Sequence, residues 1–180
     1  MCMEIEPAAI DEVRHTSSMP AETDFAVFER LYPALHRFAS VVSDRDMDPD
    51  DLVQEALAST LERYDLCELD QPQAYLKRAI FHIASNKRRS AGRFRALLPR
   101  LSERDTASDH YPSDLAILYE LGPTDRAVIY LADVEGLPLA VIAEQLGLSG
   151  PAVRKRVGRA RAKLRELVDA EESLPEGSRP

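Results

Sequence analysis

The chain has 180 residues, room for one domain or two small ones, and its 44% hydrophobic content gives each half the means to bury a core. It carries a formal net charge of -8, with no run of about 18 uncharged apolar residues and an acidic N-terminus, so neither a membrane span nor a secretory signal is expected. Cys2 and Cys67 are neither paired by spacing nor grouped with the four scattered histidines, so a disulfide scaffold and a metal site are not expected, and a reduced, cytoplasmic protein without cofactor is.

Residues 1–23 show no sustained period and read as a mobile arm. From 24 to 42, Phe25, Phe28, Leu31, Tyr32, Leu35, Phe38, Ala39 and Val42 recur at helical spacing after Asp24, a candidate N-cap, and Pro33 is expected to kink or split that helix. The next start is well marked. Asp48 can cap, Pro49 fits the first turn, and Asp50 and Asp51 suit the positive end of the helix dipole. Val53, Ala56, Leu57, Thr60, Leu61 and Tyr64 then share an apolar face, with Gln54, Glu55, Ser59 and Glu62 away from it. A polar loop over 65–72 leads to a helix over 73–89, whose buried stripe is Leu76, Ala79, Ile80, Ile83 and the stem of Lys87.

Over 91–112 the pattern fails and turn formers dominate, which marks a linker. A second domain is expected over 113–168, with helices over 113–121, from Gly122-Pro123 to Gly136, over 138–146 and over 149–168. An acidic tail follows at 169–180 and reads as disordered. The fold class is therefore all-α: a three-helix domain (24–90) and a helix-turn-helix domain joined by a flexible linker.

Charge along the chain is segregated. Nine basic residues and one acidic one lie between Lys77 and Arg104, and seven basic residues and one acidic one between Ser149 and Leu167. A polyanion-binding protein needs local positive surface rather than a basic total. In the stretch IAEQLGLSGPAV, Ile142 and Leu146 face a core, and Ala143 is small where a helix can cross. Gly147 ends the helix where positive φ is cheap, Leu148 plugs the corner, Ser149 caps the next helix, and Val153 returns to the same core. This is helix-turn-helix spacing, in which the second helix enters the major groove. On that helix Val153, Val157, Ala160, Leu164 and Leu167 fall in a narrow arc, with Lys155 and Arg159 most nearly opposite it and Gly158 on the outer side. Gly150, Pro151, Arg154 and Lys155 in the first turns are candidates for base edges, and the later Arg156 and Arg159 for phosphates.

The segments DPDDLVQEALASTLERY, QPQAYLKRAIFHIASNKRRS and LGPTDRAVIYLADVEGLPLAVIAEQLGLSGPAVRKRVGRARAKL, in that order, resemble the bacterial extracytoplasmic-function sigma factors, the small two-domain class of RNA polymerase specificity subunits. The resemblance covers about residues 24–168 and implies no catalysis by this chain. It implies that the first segment docks on core RNA polymerase through Asp48, Asp50, Asp51, Gln54 and Glu55. The second would meet the −10 promoter element through Tyr75, Lys77, Arg78, His82, Asn86, Lys87, Arg88 and Arg89, with an unstacked base received near the loop over 65–72. The third would read the −35 element through Ser149, Gly150, Pro151, Arg154, Lys155, Arg156 and Arg159. The family more often has Asn at His82, Asp at Asn86, Glu at Val141 and Thr at Ala152. Family members are commonly held inactive by an anti-sigma protein, which adds such a partner to the expectation. A stand-alone helix-turn-helix regulator, dimeric on palindromic sites, and a sigma mimic that sequesters an anti-sigma protein are the rival readings.

Overall fold

The computed structural model describes residues 23–44, 46–97 and 113–172, all without strand. The expected arm at 1–22, linker residues 98–112 and tail residues 173–180 fall outside these. Helix α1 spans Asp24–Val42, α2 Pro49–Leu61, α3 Pro72–Leu97, α4 Pro123–Ile129, α5 Leu139–Leu146 and α6 Gly150–Glu172. A 3-10 turn at Leu66–Glu68 joins α2 to α3, another at Ser113–Glu120 precedes α4, and a π turn at Tyr130–Val134 follows α4.

Local chemistry explains the helix starts. Thr23, not Asp24, caps α1, its hydroxyl accepting from the Ala26 N–H at 3.3 Å, while Asp24 accepts the Cys67 N–H at 3.0 Å and ties the α2–α3 loop down. Pro33 does not split α1. Its missing N–H orphans the Glu29 carbonyl, and both residues are exposed, so water can take that bond. Asp48 caps α2 as expected, accepting the Asp50 N–H at 2.8 Å. Helix α3 runs eight residues past Arg89, to Leu97; Ala91, Arg93, Arg95, Ala96 and Leu97 favour a helix enough to carry it through Gly92.

Leu35, Phe38, Val42, Leu52, Val53, Ala56, Leu76, Ile80 and Ala84 pack the first unit, and Leu131, Ile142, Leu146, Val153, Val157 and Ala160 the second. Each Val, Leu, Ile or Phe among them contributes about 1.5–3 kcal/mol on burial. Leu61 and Tyr64, expected inside, are 42% and 48% exposed, and Leu52 fills that role instead. The two units share one core. The rings of Phe38 and Tyr130 lie 6.1 Å apart, and the Tyr119 hydroxyl donates to the Ser40 carbonyl at 2.9 Å. Arg126, nearly fully buried, donates to the Ser43 carbonyl and to Asp44, both at 2.9 Å, and stacks 4.5 Å over the Tyr119 ring.

Candidate polymerase and nucleic-acid interfaces

At the start of α2 the carboxylates divide their work. Asp48 is held by its cap. Asp50 accepts the Tyr32 hydroxyl at 2.5 Å and lies 3.6 Å from His36 Nε2. That hydrogen bond, ahead of burial and the Asp50 charge, raises the Tyr32 phenol above its ordinary range. Asp51 and Gln54 are exposed. Glu55, which the sequence leaves free, pairs with Lys87 on α3 at 2.8 Å. An acidic edge thus faces solvent beside the basic helix, and opposite charge on a partner would complement it.

On α3 the expected DNA-binding residues do not form one face. Arg78, His82, Asn86, Lys87 and Arg89 are exposed, and Arg89 is tethered to Asn86. Arg88 is half-buried, donating to the Val42 carbonyl at 2.7 Å; burial lowers its pKa against the opposing pull of Asp44. Lys77 is 1% exposed. Its ammonium pairs with Glu135 of the second unit and sits 5.8 Å over the Phe38 ring, so in this arrangement it is closed to DNA. Tyr75 packs edge-to-face on Tyr64 at 5.5 Å, placing two aromatic rings beside the loop that joins α2 to α3.

The helix-turn-helix has the geometry its spacing calls for. Gly147 adopts φ +65°, the Leu148 N–H donates to the Ala143 carbonyl at 2.9 Å, and Ser149 Oγ accepts the Ala152 N–H at 3.4 Å. On α6, Val153, Val157 and Ala160 are buried while Pro151, Arg154, Lys155, Gly158 and Arg159 are exposed. Sequence reasoning missed two carboxylates beneath this helix. Asp125 holds Arg156 and Arg159, and Asp133 holds Arg161 at 2.6 Å. Their partners on α6 lie 28–34 positions away, so periodicity gives no sign of them.

The two candidate DNA faces meet. A Cβ at Gly147 would lie 3.8 Å from the His82 ring and 3.9 Å from Arg78. Between them runs a cleft of about 380 Å³ lined by His82 and by the cations Arg88, Arg89 and Arg156. Burial, then the charges of Arg78 and Arg89, hold the His82 imidazole below its ordinary pKa. Among the described residues no cluster of His, Cys, Asp and Glu could hold a metal ion, and no helix is long and apolar enough to cross a membrane.

An all-α chain with an exposed acidic edge, a basic helix and a helix-turn-helix defines a class of two-unit DNA-binding proteins. Residues 27–94 match Sigma-70 region 2 and residues 115–164 match Sigma-70, region 4. The RNA polymerase sigma-E factor of Streptomyces avermitilis is 32% identical over 149 residues, 76% of this chain and 80% of that protein. The ECF RNA polymerase sigma factor SigE of Mycolicibacterium smegmatis is 28% identical over 146 residues, and the match spans 74% of this chain but only 57% of that protein. The sigma factor RpoE of Bartonella quintana, solved with the anti-sigma factor NepR, matches at TM-score 0.63 and 23% identity over 79% of this chain and 94% of its own, a likeness of fold. The chain belongs to the extracytoplasmic-function RNA polymerase sigma factors, and its function is promoter-directed initiation of transcription. A free-standing dimeric regulator is set aside.

Proposed function

We propose that the acidic edge of α2 docks on core RNA polymerase, that α3 with the loop before it engages the −10 element, and that α6 reads the −35 element. The observation that carries this is the outer face of α6. Arg154, Lys155 and Arg159 stand exposed on a helix whose opposite side is locked into the second core by Val153, Val157 and Ala160. The chain supplies binding and positioning, no catalytic step, and acts in the cytoplasm with the polymerase. An anti-sigma protein is a further partner in this reading, prompted by the one solved with the Bartonella quintana relative.

Distance dictates a conformational step. Elements centred near −35 and −10 are separated by about 25 base pairs, or about 85 Å of duplex at ~3.4 Å each. Here the two candidate faces adjoin, Gly147 standing against the His82 and Arg78 side chains of α3, so the units must part before both elements can be held. The enzyme then keeps two modest contacts at a fixed spacing, and their combined affinity exceeds either alone. With a net charge of -8, the free chain binds duplex poorly.

The test is a pull-down of bacterial core RNA polymerase by the full chain beside the double variant Asp51→Arg, Glu55→Arg, followed by transcription from a promoter template. Retention and transcription by the wild type, with loss of both in the variant, is the expected result. Undiminished retention of the variant would refute docking through α2, and failure of the wild type to bind core enzyme would mark a sigma mimic.

A further inference from the structure

Asp125 lies beneath α6 with 9% of its surface exposed, and both of its oxygens are engaged. Oδ1 accepts from Arg156 Nη1 at 2.7 Å, while Oδ2 accepts from Arg159 Nε at 3.1 Å and from its Nη2 at 2.5 Å. The carboxylate side chain is 12% exposed, against 34% for Arg156 and 57% for Arg159. The anion therefore sits inside and the two guanidinium heads emerge from it.

These contacts have physical consequences. Arginines three positions apart on a helix face each other and repel, and a shared carboxylate removes that repulsion. A long side chain that is free in solution must be ordered on binding, whereas one already fixed is not. Each guanidinium carries five N–H donors, so those not engaged by Asp125 remain for a ligand. The cluster also carries one positive charge fewer than two free arginines, which weakens its pull on duplex of any sequence. Phosphate contacts fix the register in which a recognition helix lies, and a rigid pair of arginines accepts fewer registers than a mobile pair.

We propose that Asp125 is a positioning residue for −35 recognition: by fixing Arg156 and Arg159 it sets the register of α6 on the duplex and favours the chosen sequence over non-specific DNA. The inference rests on the reading that α6 binds the −35 element. Asp133 offers an internal comparison. It spends both oxygens on one arginine, Oδ2 accepting from Arg161 Nε at 3.1 Å and Oδ1 from its Nη2 at 2.6 Å, but both partners are well exposed and Arg161 lies outside the candidate −35 set.

The experiment uses holoenzyme reconstituted from the full chain and bacterial core RNA polymerase. Wild-type holoenzyme first selects its preferred −35 sequence from a duplex pool randomised over that element. Affinity for that duplex and for a mixed-sequence duplex is then measured at one salt concentration for Asp125→Asn, Asp125→Glu, Asp133→Asn and the pair Arg156→Ala, Arg159→Ala, each checked by circular dichroism. Asp125→Asn is expected to lower the ratio of specific to non-specific affinity about tenfold, within the range one good contact supplies. Asp125→Glu keeps the charge but displaces the fork, and it too is expected to lower the ratio. Asp133→Asn is expected to change it less than about twofold. A wild-type ratio in Asp125→Glu beside a loss in Asp125→Asn would reduce Asp125 to a charge effect, and wild-type ratios in both would remove it from recognition; either overturns the proposal. If the double arginine variant also keeps the wild-type ratio, the −35 assignment of these arginines fails first, and the inference with it.

Discussion

His82 lies on the face of α3 that the second unit approaches, with Arg78 and Arg89 as its charged neighbours and the Gly147 backbone opposite. Burial first, and those two cations next, disfavour its protonation. The sign for stability follows from proton counts. The unfolded chain takes up a proton near pH 6.5 while the folded chain does so only at lower pH, so this histidine's contribution is intact above about pH 6.5 and declines as pH falls toward the folded value. The ring is partly solvated, so the effect is small. In an NMR titration its Cε1 proton should show a midpoint below 6.5, moving upward but not fully restored in Arg89→Ala; a wild-type midpoint at or above 6.5 would refute the account. Residues of this kind divide sharply in legibility. Asp48 and Gly147 act through their own backbone neighbourhood, so pattern alone identifies their roles. Lys77 does not, because lysine is exposed by default and its partner Glu135 is 58 positions away. Asp125 sits next to Arg126 in sequence yet the two face different elements, one α6 and the other the first unit.

At the scale of elements, the helix-turn-helix depends on a backbone conformation more than on a side chain. Gly147 has φ +65°, and a Cβ there would meet the His82 ring at an ordinary 3.8 Å. Gly147→Ala therefore costs only the left-handed strain, about 1–2 kcal/mol. It should lower the thermal transition by a few degrees while the helical circular-dichroism signal is kept. A drop several times larger would mean that the corner is closed by packing. The order of the helices was legible because amphipathic period and caps are local, but not that Ser113–Glu120 winds as 3-10 and Tyr130–Val134 as π. Their ends were less so. The continuation of α3 through Gly92 and of α6 to Glu172 reflects summed helix preference, which a single glycine or acidic pair does not reverse.

For the whole molecule, what the sequence could not disclose is that the two units lie together. The expectation of a flexible connection said nothing of Arg126 under Tyr119 or of Lys77 against Glu135. Removing one partner of a buried ion pair costs about 3–5 kcal/mol if the survivor stays buried, and here the survivor has an alternative, which is for the units to separate. Glu135→Ala should therefore enlarge the free chain, read as a greater radius of gyration in small-angle X-ray scattering. An unchanged radius with full stability would show that the pair holds nothing closed. The pair between Glu55 and Lys87 has a different consequence. One belongs to the acidic edge of α2, the other to the basic face of α3, and in the free chain each offsets the other's charge. A protein cation that takes Glu55 releases Lys87 to a phosphate, and a phosphate that takes Lys87 releases Glu55. By thermodynamic reciprocity the two ligands then strengthen one another equally. Because the pair is exposed, that coupling is limited to about 1 kcal/mol, roughly fivefold in either affinity.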